Sequence, residues 1–221
     1  MSINQAPRVP ALLDHIVIAG PYLDALVEWF AERTGVTAAP GGEHPTGTAN
    51  ALVALTISGN RGPHYIELIG PNPRIEHATP PSTFGINTLN APTIVTYAIH
   101  PEDIDDVAAR ARENGVNLGP VSDLSRQRPD GTLLEWRLTA NNPNTAVPFL
   151  IDWGGTEHPG VSDIPTLELV SFERVEPDPE PQRRSHEAFG LPEGSLADIA
   201  RGDQPDFRLT VRRADGEIVV L

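Results

Sequence analysis

LDHIVIAGPYLDALVEWFAERTGV, residues 13–36, reads as one strand, one turn and one helix. In its first seven residues Leu13, His15 and Val17 alternate with Asp14, Ile16 and Ile18, so the two sets point to opposite faces of a strand. Leu23, Leu26, Val27, Phe30 and Ala31 then recur at three- and four-residue spacing, which predicts a helix over 22–34 with Gly35 as its C-cap. Residues 93–116, TIVTYAIHPEDIDDVAARARENGV, repeat the plan. A shift of 80 positions lays Pro21 on Pro101, Gly35 on Gly115 and Val36 on Val116. The same shift lays Val95 where the first copy has His15. A repeated unit with a polar inward residue in one copy and an apolar one in the other predicts an asymmetric cleft.

Outward from these two copies the chain resolves into modules. After the first helix, APGGEHPTGTAN (39–50) reads as a loop. Residues 51–57 and 64–69 read as strands joined by the turn SGNRGP, which closes a first module over 12–70. Residues 71–92, rich in turn formers, read as a connection or a lid. A second module over 93–160 has its helix at 102–114, with Ile104, Val107, Ala108 and Ala111 as the buried stripe. TLLEWRLTA and VPFLIDWG are its later strands. A shift of 84 aligns Gly70 with Gly154 and puts Ile151 where the first module has Glu67. A weaker third echo covers 165–221. It has the strand LELVSFERV, the helix PQRRSHEAFGL, strands at 195–200, 206–213 and 217–221, and a hairpin turn at Ala214-Asp215-Gly216. VEPDPEP, between that strand and helix, reads as a stiff, solvated linker.

Composition narrows the function. A net charge of −14 disfavours nucleic acid and anionic membrane surfaces as partners. No run of about 18 apolar residues marks a membrane span. MSINQAPRVPALL lacks the basic and apolar segments of a secretory signal, so a cytoplasmic location is expected. There is no Cys, and every basic residue among the 16 is Arg. Thiol nucleophiles, thiolate metal sites and lysine Schiff bases are therefore excluded.

Tandem strand–helix–three-strand modules, with His15 on the first strand and Glu67 on the last, resemble the vicinal oxygen chelate superfamily. The pieces LDHIVIAGPYLDALVEWFAERTGV, GGEHPTGTANALVAL, YIELIGP and VPFLIDWG followed by HPG resemble its glyoxalase-like domain branch. The fold expected is α+β: tandem βαβββ modules forming a cupped mixed sheet, as in glyoxalase and bleomycin-resistance proteins, with a third partial module at the C-terminus. The resemblance implies a ligand in the cup. In metal-dependent members each module gives a first-strand and a last-strand ligand to a divalent cation. Here His15 and Glu67 match the first pair, while Val95 and Ile151 stand at the second. Two ligands hold a divalent cation poorly. Members often pair modules between subunits, so the resemblance allows a homodimer.

His15 is a candidate metal ligand or general base, with an ordinary core histidine as the alternative. Glu67, a carboxylate inside a cup, needs a partner or a cation, and His15 or an Arg would serve. His44, in the Gly-rich loop, is a candidate third ligand or substrate contact, with a solvated loop residue as the alternative; Asn50, which opens the next strand, would orient substrate oxygens or simply close the turn. Trp136 and Trp153 read as pocket walls or core. Arg137 is a candidate carboxylate clamp, with an ordinary surface Arg as the alternative, and Asp152 and His158 are candidates for the rim. His64 and His77 read as solvent-facing, His100 as a turn residue and His186 as lying on an exposed helix face. Two functions remain open. One is a small-molecule enzyme acting on a carbonyl or vicinal-oxygen compound, metal-assisted or not. The other is a metal-free binder that sequesters a small hydrophobic or planar compound.

Overall fold

The computed structural model describes residues 8–76, 79–127, 133–140 and 145–221. His77 lies outside them. The first module runs β1 (Leu13–Ala19), α1 (Leu23–Thr34), β2 (Ala39–Glu43), β3 (Thr48–Ile57) and β4 (Asn60–Pro71). The second runs β5 (Thr93–Ile99), α2 (Ile104–Glu113), β6 (Val121–Gln127), β7 (Leu133–Thr139) and β8 (Phe149–Asp152). The third runs β9 (Thr166–Glu176), α3 (Pro179–Glu187), β10 (Asp198–Arg201), β11 (Asp206–Arg212) and β12 (Ile218–Val220).

Among the described residues, all twelve strands join one mixed sheet. In each of the first two modules the first strand lies parallel to the last: β1 beside β4, and β5 beside β8. β1 and β5 then pair antiparallel and fuse the two modules. The third module keeps the order of elements but not the pairing. Its β9 pairs antiparallel with β11, and β10 lies parallel along the end of β9. One edge of β3 is shared: β2 pairs with its first half up to Leu52, and β9 runs parallel to Ala54–Ile57.

Local chemistry explains the elements. α1 ends where Gly35 adopts φ 74°, a left-handed conformation that glycine takes without steric cost. Asp103 caps α2 by accepting from the Asp106 N–H at 3.0 Å. The helices lie on one face of the sheet over a core that includes Leu26, Phe30, Ile16, Ile18, Tyr97 and Phe172. Full burial of Phe30 alone contributes about 1.5–3 kcal/mol. A second apolar layer, with Val17, Leu52, Tyr65, Ala98, Phe149, Ile151 and Trp153, lines the other face, the cup.

Several expectations change. The stretch 39–50 is not all loop: Ala39–Glu43 is a bulged edge strand, which tolerates its Pro and Gly residues because only one side is paired. The turn between β3 and β4 is only Ser58-Gly59, both at positive φ, as a two-residue hairpin requires. β6 was not foreseen, because VSDLSRQ has little apolar alternation. VEPDPEP is not a linker. It ends β9 and starts α3, with Asp178 as N-cap and the buried Pro179 in the first turn. Residues 83–88 form a 3₁₀ turn that drives Ile86 and Phe84 into the cup-side layer.

His186 is half-buried rather than exposed. Burial, helped by nearby Arg174, lowers its pKa from 6.5 to about 4. The unfolded chain therefore binds a proton below 6.5 that the folded chain refuses until about 4. Stability is expected to fall as pH drops through that window. Denaturant titrations at either end should show this slope reduced in His186→Gln; an identical slope in both proteins would contradict it.

Candidate functional site

The site begins with an irregularity in β1. Leu13 pairs with Ile99 and His15 with Ala98, consecutive residues of β5, so Asp14 is an extra residue without a partner there. Such a bulge breaks the alternation of faces. Leu13 joins the helix-side core with Ile16 and Ile18. Asp14 does not face away from His15, as alternation predicts. Their side chains meet, Asp14 Oδ1 accepting from His15 Nδ1 at 2.6 Å. Asp14 is fully buried and His15 is 3% exposed.

Two donors from beyond β8 complete the environment of Asp14. Trp153 Nε1 donates to Asp14 Oδ2 at 3.0 Å, and His158 Nε2 lies 3.1 Å from the same oxygen. Burial alone would raise the pKa of Asp14. The hydrogen bonds and charges of His15 and His158 outweigh it and hold the carboxyl well below its ordinary 3.8. His100 Nδ1 stands 3.8 Å from Asp14 Oδ2.

On the other side of His15, Nε2 lies 3.9 Å from Glu67 Oε2. Glu67, on β4, shares the cup face with Tyr65 and Ile69. Its Oε1 accepts from Asn50 Nδ2 at 2.6 Å, and Asn50 Oδ1 accepts from the Gly42 N–H at 2.7 Å. That backbone contact fixes which end of the Asn50 amide faces Glu67. A Cβ on Gly41 would lie 2.2 Å from Asn50 Oδ1, so the Gly-Gly pair of β2 makes room for this side chain. The His15 ring stacks on Tyr65, centroids 4.5 Å apart, and meets the edge of Phe149 at 5.3 Å. A polar row thus runs from the buried Asp14, His15 and Glu67 to the half-buried Asn50.

The remaining candidates divide. Trp136 packs beside Trp153 at 5.9 Å in the cup-side layer. His158 sits at the row through Asp14. His44 lies in the β2–β3 turn, where its Nδ1 is 2.8 Å from Thr48 Oγ1. Arg137 is not brought to the row. It makes a two-pronged pair with Asp105 of α2, both contacts at 2.9 Å, on the helix face. Asp152 pairs opposite Arg137 in the ladder and accepts from the Gly154 N–H at 2.8 Å, so it also lies off the cup face. His64 is half-buried rather than solvent-facing: its Nδ1 lies 2.6 Å from the Leu13 carbonyl, and burial lowers its pKa. Asp14 and Tyr65 were missed by sequence reasoning. Two adjacent polar residues inside an apolar strand are the signal that a bulge puts both on one side.

At the second-module positions Ile151 is buried and Val95 packs against the same cup-side layer. Among the described residues no three His, Asp or Glu side chains form a metal-binding group. His15 Nδ1 and Glu67 Oε1 are already engaged, which leaves two donor atoms, Nε2 and Oε2. This donor set does not fit the four-ligand divalent site of metal-dependent relatives.

Fused βαβββ modules that form a cupped mixed sheet are the fold of the vicinal oxygen chelate class of small-molecule enzymes and binders. The chain belongs to the glyoxalase-like domain family, whose model matches residues 13–189. No curated protein matches. Among solved structures, a hypothetical protein from Staphylococcus aureus superposes with a TM-score of 0.59 at 15% identity, over 94% of this chain and 97% of that one. That similarity establishes the fold alone. A methylmalonyl-CoA epimerase variant from Streptomyces coelicolor is 22% identical over 66% of this chain and 97% of its own, with a TM-score of 0.41. A 4-hydroxymandelate synthase mutant from Streptomyces coelicolor is 13% identical over 96% and 63%, with a TM-score of 0.47. No helix among the described residues is long and apolar enough to cross a membrane.

Proposed function

We propose that the protein catalyses metal-independent proton transfer at a carbon beside a carbonyl group of a small, largely apolar molecule. The single observation behind this reading is the approach of His15 Nε2 to Glu67 Oε2, 3.9 Å apart with both side chains largely buried on the cup face. Each partner is held by its other atom: His15 by Asp14, Glu67 by Asn50. His15 Nε2 takes the proton from carbon, and the C–H electron pair moves into the carbonyl to give an enolate. The imidazolium returns a proton to the same carbon or its neighbour. Glu67 balances the imidazolium charge while the enolate exists, in a site dry enough for that charge to count. Val95, Ile151, Phe149 and Trp136 favour a hydrocarbon body on the substrate.

The test is incorporation of solvent deuterium into a panel of α-acidic carbonyl compounds, followed by NMR. The wild-type protein should catalyse exchange in at least one compound, and His15→Gln should not. The hydrocarbon wall of the second module favours one other reading, a binder. A compound that quenches Trp136 and Trp153 fluorescence while none on the panel exchanges would establish that reading instead.

A further inference from the structure

The protons around Asp14 can be assigned one at a time. The indole of Trp153 only donates, so Asp14 Oδ2 accepts from it. His158 Nδ1 lies 2.9 Å from the Gly160 N–H, which also only donates, so Nδ1 carries the lone pair. The proton of His158 is then on Nε2, pointing at the same Oδ2. The two N–H donors on Oδ2 stabilise the ionised carboxyl against the cost of its burial, so Asp14 is an acceptor at both oxygens. The 2.6 Å contact at Oδ1 therefore needs a proton on His15 Nδ1. That leaves Nε2, the atom facing Glu67 Oε2, to gain and lose a proton.

We propose that Asp14 is a positioning residue that locks His15 in its Nδ1–H form, and that the second module serves the site through the Trp153 and His158 N–H groups that anchor Asp14. This rests on the proton-transfer reading for its purpose but not for its test. The second module, which offers hydrocarbon where a ligand pair could stand, thereby still sets the chemistry of the first. His100, at 3.8 Å from Asp14 Oδ2 and 3.8 Å from Asp152 Oδ1, stands outside this set of short contacts.

Asp14→Asn separates this role from a structural one. The amide is the same shape. Trp153 and His158 both donate to the Oδ2 position, so the amide oxygen must stand there and the NH₂ must face His15. It then donates to Nδ1, which must give up its proton, and the ring becomes the Nε2–H tautomer. All hydrogen bonds stay paired, so the fold should survive. The readout is the ¹⁵N spectrum of the imidazole side chains of the full-length protein at neutral pH, with His15 assigned by its absence in His15→Gln. A protonated Nδ1 in the wild type and a bare Nδ1 in Asp14→Asn are expected. If the wild type exchanges a substrate, Asp14→Asn should lower kcat at least tenfold with KM little changed. A bare Nδ1 in the wild-type protein overturns the proposal whether or not the variant folds, and so does a protonated Nδ1 in a folded variant. Absence of catalysis in the wild type would remove the proton-transfer reading and leave the tautomer result standing.

Discussion

Glu67→Gln is expected to slow the exchange reaction by about 10²–10³-fold, the range that one preorganised electrostatic partner supplies. The substitution keeps the shape of the side chain and an oxygen that accepts from Asn50 Nδ2. What it removes is the negative charge 3.9 Å from His15 Nε2. The unfolding midpoint should therefore stay near the wild-type value while turnover collapses. His15→Gln should lose a similar factor. The double variant should be little worse than either alone, because the two groups act as one unit. Rate constants from time courses of deuterium incorporation decide the matter. Wild-type rates in both single variants would remove the pair from the mechanism.

Gly160→Ala is expected to cost about 3 kcal/mol of stability, at the upper end of overpacking penalties. Gly160 lies in the short 3₁₀ turn Pro159–Val161, which packs on β4. A Cβ there would stand 2.6 Å from both the backbone N and O of His64. Backbone in the middle of a sheet cannot rotate aside as a side chain can, so the turn must lift. Lifting it strains the Arg61 Nε contact to the Gly160 carbonyl, 2.9 Å, and the Gly160 N–H contact to His158. The loss should appear as a drop of roughly 6–12 °C in thermal midpoint for a chain of this size. Gly155→Ala is the control, since a Cβ at Gly155 meets nothing within 4 Å. Equal midpoints for the two variants would show that the turn yields freely.

Much of this was written in the local pattern of residues. The spacing of Leu23, Leu26 and Phe30 specifies α1, and the apolar neighbours of Glu67 place it on the cup face. The repeat at residues 93–116 foretells the fused modules and the hydrocarbon at Val95, and the 84-residue shift foretells that at Ile151. What stayed hidden depends on pairing. Strict alternation sends Asp14 away from His15, and only the register of β1 against β5 shows the extra residue. β2 is stabilised by its ladder with β3, and its Pro and Gly disguise it. Asn50 reads as a turn former because its two partners, Gly42 and Glu67, lie on neighbouring strands. Arg137 looks like a clamp for a ligand until α2 brings Asp105 to meet it. The third module's order of elements is legible, but its different ladder is not, because strand pairing is a choice among edges that no single segment records.

The shared edge of β3 bears on self-association. From Ala54 to Ile57 the peptide groups of that edge are satisfied by β9 of the same chain. Stripped of β9, they would form an open hydrogen-bonding template for a strand of a neighbouring molecule. The C-terminal module thus acts as a tethered stopper: it fills a slot that, left vacant, would invite copies to zip together.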